Sequence, residues 1–190
     1  MSGVGQYVSE FGLVKVKGSE ERLQASAAGE RWSLRGNAQD GYQIKLKLFG
    51  ILPIANDDLR AARVHFREVE GHKIAYIEQK GVLQVIASAL LPQQPSAAWL
   101  NRAGEYELVS QLPGGVSSLD IGPMELLLDK GNYVLRATQG DQDIDYALRF
   151  ISDDKAVVQG YGRNMGATVR VFDDGQLEWL GLLYRPAGSG

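Results

Sequence analysis

The sequence predicts an all-β fold of two tandem antiparallel β-barrels, with one short helix near residues 96–103. One merged barrel or a sandwich is the alternative. Three observations carry this. Short runs that alternate apolar and polar residues recur at intervals of about ten residues, as half-buried strands do. Turns rich in Gly, Asp and Asn separate them. The two halves of the chain also resemble each other, which divides it at 1–92 and 93–190.

In order, Tyr7 to Ser9 and Leu13 to Lys17 open the strand series, followed by the turn Gly18-Ser19-Glu20-Glu21. Arg22 to Ser26 alternates, and Ala28-Gly29 turns the chain into Arg31 to Arg35. After Gly36 to Gly41, Tyr42 to Leu48 places Tyr42, Ile44, Leu46 and Leu48 on one face and lysines on the other. Phe49-Gly50-Ile51-Leu52-Pro53-Ile54 breaks the pattern. It reads as a loop folded over a barrel mouth, or as a contact surface for a missing partner domain, because an exposed apolar patch marks an interface. Strands resume at Arg63 to Arg67, Lys73 to Ile77 and Leu83 to Ala87.

Leu91 to Pro95 reads as a linker, and Ser96 as the N-cap of a helix from Ala97 to Arg102 that Gly104 stops. The strands expected beyond it are Glu105 to Val109, Val116 to Ile121, Met124 to Leu128, Tyr133 to Ala137, Ile144 to Phe150, Ala156 to Gln159, Thr168 to Phe172 and Leu177 to Tyr184. Asp129 to Asn132 and Asp173 to Gln176 have hairpin-turn chemistry.

Gly160, Gly162 and Gly166 do not make a dinucleotide loop. Their spacing has one residue too many, and a phosphate cradle needs a helix to begin there. Thr168 to Phe172 reads as a strand instead, so the stretch is a glycine-rich strand connection.

The repeat is visible in the residues. Gly5-Gln6-Tyr7 recurs as Gly104-Glu105-Tyr106. Ala62 to Phe66, the turn Glu70-Gly71 and Ile74-Ala75-Tyr76 recur as Ala167 to Val171, Asp174-Gly175 and Leu177-Glu178-Trp179. Units of this size suit small lipocalin-like barrels. The second unit has a leading helix and the first begins almost at its Gly-x-Tyr, so the chain is expected to be a fragment of a longer protein.

Composition excludes several chemistries. There are no cysteines, which removes disulfides, thiol nucleophiles and cysteine–zinc sites. A net charge of −3 gives no electrostatic case for nucleic acid. The charge is uneven: residues 1–92 carry 12 Lys+Arg and 10 Asp+Glu, net +2, and the rest of the 20 and 23 leaves residues 93–190 at net −5. Opposite bias can help halves dock on each other or on a third domain. No apolar run is long enough for a membrane span, and the first residues are not a signal peptide.

Catalytic patterns are weak. Ser152-Asp153-Asp154-Lys155 has the Ser-x-x-Lys spacing of penicillin-recognising enzymes, but it lies in an acidic hairpin with no Tyr-x-Asn or Lys-Thr-Gly partner. His65 and His72 with Glu68 or Glu70 read as surface residues, with no firm third metal ligand. The carboxylates gather in turns, at Asp57-Asp58, Asp141 to Asp145, Asp153-Asp154 and Asp173-Asp174, where solvation is the default; a glycosidase pair stays open. No cofactor and no metal site are expected.

Several stretches together resemble one family region: Phe11 to Val16, the Leu48 to Ile54 loop, Ala98-Trp99-Leu100-Asn101-Arg102-Ala103-Gly104-Glu105-Tyr106-Glu107, and Gly160 to Arg170 with Glu178 to Tyr184. Their pattern is similar to the C-terminal accessory region of bacterial serine hydrolases related to class C β-lactamases and penicillin-binding proteins. The family's catalytic serine, lysine and tyrosine lie in a separate N-terminal domain, so no catalytic role carries over to any position here. The resemblance implies a non-catalytic accessory domain of a periplasmic or extracellular parent, shaping active-site access, substrate selection or oligomerisation. Its partner would be the parent's own catalytic domain, with a homo-oligomer as a further option. Phe49, Ile51, Leu52 and Ile54 in one loop, and Tyr161, Arg163, Asn164 and Met165 in the other, are the candidate contact residues. The alternative is a lipocalin-like module holding a small apolar ligand or peptide.

Overall fold

Eight strands run up and down in chain order and close on themselves, and the chain does this twice. The computed structural model describes residues 3–45, 61–112, 121–129, 131–160 and 165–188. The chain divides into two compact units, Met1–Ala89 and Leu90–Gly190, each with its own closed barrel. The architecture is therefore two barrels and not one merged sheet.

The first barrel comprises β1 (Gly5–Ser9), β2 (Gly12–Ser19), β3 (Arg22–Ala27), β4 (Glu30–Asn37), β5 (Gly41–Lys45), β6 (Arg63–Val69), β7 (His72–Gln79) and β8 (Val82–Ala89). β8 pairs antiparallel with β1, at Tyr7↔Ala89 and Ser9↔Ala87, which leaves no sheet edge to template aggregation. Alternation decides what fills the lumen. On β3, Leu23, Ala25 and Ala27 are buried while Arg22 and Gln24 are exposed. At the end where β1 begins, Tyr7, Leu23, Tyr42 and Phe66 pack together, with Phe66 5.4 Å from Tyr7 and 5.8 Å from Tyr42 between ring centroids. The Tyr42 hydroxyl donates to Glu20 O at 2.9 Å. Full burial of each such ring contributes about 1.5–3 kcal/mol. Val14, Trp32, Ile44 and Ile86 pack against this core but are only half-buried.

The second barrel opens with helix α1 (Ala97–Leu100). Its strands are β9 (Gly104–Gln111), β10 (Ile121–Asp129), β11 (Asn132–Gln139), β12 (Gln142–Phe150), β13 (Lys155–Val158), β14 (Thr168–Val171), β15 (Leu177–Trp179) and β16 (Leu182–Pro186). β9 closes the circle by pairing with both β10 and β16. α1 caps one end. Trp99 is fully buried there, 5.2 Å from the Phe150 ring and 6.4 Å from Tyr133, and its Nε1 donates to Ser152 O at 2.8 Å. On the outside, Glu125, Arg136 and Asp145 stand opposite one another on β10, β11 and β12. Arg136 Nε donates to Asp145 Oδ1 at 2.7 Å, and its NH1 is 3.6 Å from Glu125 Oε2. The Asp145 bond is the main reason that the Arg136 pKa is raised.

Three local expectations need adjustment, and a fourth falls largely outside the described residues. Leu177 to Tyr184 is not one strand: it folds back at Leu180-Gly181, with Leu180 at φ +55°. The helix ends at Leu100, two residues early, as Asn101 and Arg102 form a turn. Ser96 has the extended backbone of an N-cap but makes no capping bond; its hydroxyl donates to Asp153 Oδ1 at 2.7 Å. Of the strand expected at Val116 to Ile121, only Ile121 is among the described residues, as the start of β10, and positions 46–48 of the strand expected from Tyr42 also lie outside them.

Candidate functional site

The two candidate loops hold equivalent places. Leu48 to Ile54 lies between the fifth and sixth strands of the first barrel, and Gly160 to Gly166 between the fifth and sixth strands of the second. Phe49, Ile51, Leu52, Ile54, Tyr161, Arg163 and Asn164 fall outside the described residues. Met165 is described and half-buried. It precedes Gly166, whose φ of +76° lets its N–H reach back to Val158 O at 2.9 Å. Val158 N in turn donates to Ala167 O at 3.0 Å, so β13 and β14 stay paired up to the base of this loop.

The catalytic look-alikes do not assemble. Ser152, in the β12–β13 turn, and Lys155, the first residue of β13, are both exposed, and Ser152 N donates to Lys155 O at 3.1 Å. The Ser152 hydroxyl donates to Asp154 Oδ1 at 2.6 Å instead of meeting the lysine amine. That bond is the main reason that the Asp154 carboxyl is held below the usual carboxylate range. Four of the other turn carboxylates accept hydrogen bonds. Asp143 accepts from Thr138 Oγ1, Asp145 from Arg136, Asp153 from Ser96, and Asp174 from Gln176 N. Asp57 and Asp58 lie outside the described residues.

The histidines do not converge. His65 pairs with Tyr76 and His72 with Val69, four residue pairs apart on one hairpin. At roughly 3.3 Å per residue that is about 13 Å, too far for one metal ion. His65 stacks on Tyr76 at 4.9 Å and 7°, with Nε2 3.3 Å from Glu78 Oε2. Its imidazole fills the space beside Gly41, where an added Cβ would meet Cε1 at 2.5 Å. Among the described residues no three His, Cys, Asp or Glu side chains are grouped as a metal requires.

The second barrel's lumen holds polar groups that sequence reasoning passed over. Tyr146 and Trp179 meet across it at 5.2 Å, and Gln139 Nε2 donates to the Tyr146 hydroxyl at 2.9 Å. Trp179 and Tyr184 are fully buried. Burial pushes the Tyr184 hydroxyl up to about 12. Each of these rings stands at an inward position of an alternating strand, so each reads locally as plain core.

In comparisons with known proteins, no family model, no curated protein and no solved structure matches the chain.

Proposed function

We propose that this chain is a non-catalytic accessory module of a β-lactamase-related serine hydrolase acting in the periplasm or outside the cell. Its working surfaces are the loops between the fifth and sixth strands, and its partner is the parent's catalytic domain, with self-association as a further mode. The observation that carries the reading is the filled interior of the second barrel. Trp99, Tyr106, Tyr133, Tyr146, Trp179 and Tyr184 are all buried in it. A lumen occupied by the protein's own rings leaves loops and outer faces as the means of recognition.

One observation favours a second reading. Val14, Trp32, Ile44 and Ile86 pack against the first barrel's core yet are only half-buried. A small apolar ligand would cover such side chains, as in a lipocalin-like carrier.

Two assays separate these readings. The purified chain is expected to hydrolyse neither a chromogenic β-lactam nor a peptide ester; turnover abolished by Ser152→Ala overturns the accessory reading. A fluorescent fatty acid is expected not to bind saturably. Saturable binding that is lost in Trp32→Ala moves the function to ligand carriage.

A further inference from the structure

Three neighbouring strands of the first barrel present an outer wall with one sign of charge. On β2, β3 and β4 the buried core residues include Val16, Leu23, Ala25 and Leu34. Alternation turns the residues between them outward. The register sets these in three rows: Lys15, Ser26 and Arg31; Lys17, Gln24 and Ser33; Ser19, Arg22 and Arg35. Five of the nine are Lys or Arg, the other four are uncharged and polar, and none is acidic or apolar. Lys15, Ser26 and Ser33 are half-buried, and the other six are exposed. The carboxylates of this part of the chain stand off the wall. Glu20 and Glu21 lie in the β2–β3 turn, Asp40 lies in the β4–β5 turn, and Glu30 begins β4 with the parity of buried Leu34.

Within the wall, Arg22 and Arg35 are directly opposite each other on β3 and β4. Like charges so placed destabilise a sheet. An anion laid across the pair reverses the effect, because guanidinium groups bond phosphate and carboxylate oxygens bidentately.

The shape of the wall narrows the class of anion. It is about 10 Å across and about 13 Å long, from strand spacing and rise. Three of eight strands are about what a flat surface meets when laid along a closed barrel. No aromatic ring stands among the nine positions, so single-stranded nucleic acid finds no platform for its bases. With no apolar side chain there either, contact is by charge at a surface, without insertion. A layer of lipid phosphates is flat and anionic, and it attracts each cation brought near it. Charge acts over only about 8 Å at physiological ionic strength. The five cations on the wall therefore count for more at such a layer than the chain's net charge of −3.

We propose that the β2–β4 wall adsorbs to a membrane surface rich in anionic phospholipid headgroups, with Arg22 and Arg35 sharing one phosphate. The test is co-sedimentation of the full chain with lipid vesicles at about 0.1 M salt. Binding is expected to phosphatidylcholine vesicles that carry roughly one-third phosphatidylglycerol and not to phosphatidylcholine alone. It should vanish near 1 M salt, where the screening length falls to about 3 Å. Arg22→Gln combined with Arg35→Gln should bind about 25-fold more weakly, roughly fivefold for each cation removed. Lys73→Gln combined with Arg149→Gln changes the net charge equally at exposed positions off the wall, and should bind as the parent does. Equal loss in the two double variants means that net charge alone decides, and overturns the proposal. A parent chain that ignores anionic vesicles overturns it as well. Duplex DNA that displaces the chain from vesicles at matched phosphate assigns the wall to nucleic acid instead. Thermal unfolding reads the fold separately. Relief of the Arg22–Arg35 repulsion should leave the melting temperature level or raised. A lowered one means that the two arginines serve internal contacts, and counts against a wall kept for an outside anion.

Discussion

Tyr7 and Tyr106 hold the same place in the two barrels. Each faces the lumen from the first strand, two residues after a glycine with positive φ, +155° at Gly5 and +145° at Gly104. Each hydroxyl donates to the carbonyl four residues earlier, Tyr7 to Gly3 at 3.1 Å and Tyr106 to Arg102 at 3.0 Å. The duplication is thus one of mechanism as well as of pattern. The incoming chain is tied to the first strand by the same bond, although a helix precedes only the second of the two tyrosines among the described residues.

Tyr7→Phe and Tyr106→Phe are therefore expected to destabilise alike, by about 1 kcal/mol each for one lost hydrogen bond. The sites lie in separate compact units, so the effects should add in the double variant. Urea unfolding, followed for each barrel, checks this. A cost under about 0.3 kcal/mol at either position would show that the shared bond is incidental.

Alkaline pH should weaken both barrels. Burial raises the Tyr7 and Tyr184 hydroxyls from 10.0 to about 12, and raises Tyr106 and Tyr133 as well. An unfolded tyrosine loses its proton near pH 10 while the folded one keeps it, so the unfolded state binds fewer protons and gains as pH rises. For Tyr7 and Tyr184 the contribution is whole below pH 10 and is lost progressively toward pH 12, on the order of 2 kcal/mol each. Denaturation midpoints measured from pH 8 to pH 12 should fall above pH 10 and fall less steeply in Tyr7→Phe. An identical slope in that variant would remove Tyr7 as a source.

Much of the fold is readable from the sequence because burial follows local alternation. Arg22 to Ala27 is an example, with its apolar members inside and its polar ones out. What escapes local reading is set at a distance. Leu180 carries no turn signal and adopts φ +55°, at a cost of about 1–2 kcal/mol for a residue with a Cβ. The pairing of Trp179 with Leu182 imposes that turn. Leu108 alternates like a core residue, yet it is half-exposed where β9 has left its pairing with β10 and its register with β16 shifts. The candidate site is less legible still. Of the eight loop residues chosen from sequence, Met165 alone is described, at a half-buried turn.

Trp99 is expected to be the residue on which the second barrel most depends. A helix of four residues cannot persist alone in water, so α1 is held by what Trp99 touches. Its ring lies against Tyr133 and Phe150, and its indole N–H satisfies Ser152 O. Its own carbonyl accepts the Tyr133 hydroxyl, so ring and backbone fix the helix to two strands at once. Trp99→Ala should cost about 3–5 kcal/mol, combining lost burial with the cavity left behind. Trp99→Phe should cost less, since it keeps most of the ring area and gives up the indole bond, worth about 1 kcal/mol. Calorimetry resolving the two barrels should show the loss in the second transition, with the first unmoved. A Trp99→Ala variant that melts within about 2 °C of the parent, well under the 4–8 °C that 1 kcal/mol produces in a domain of this size, would mean that the barrel closes without its cap.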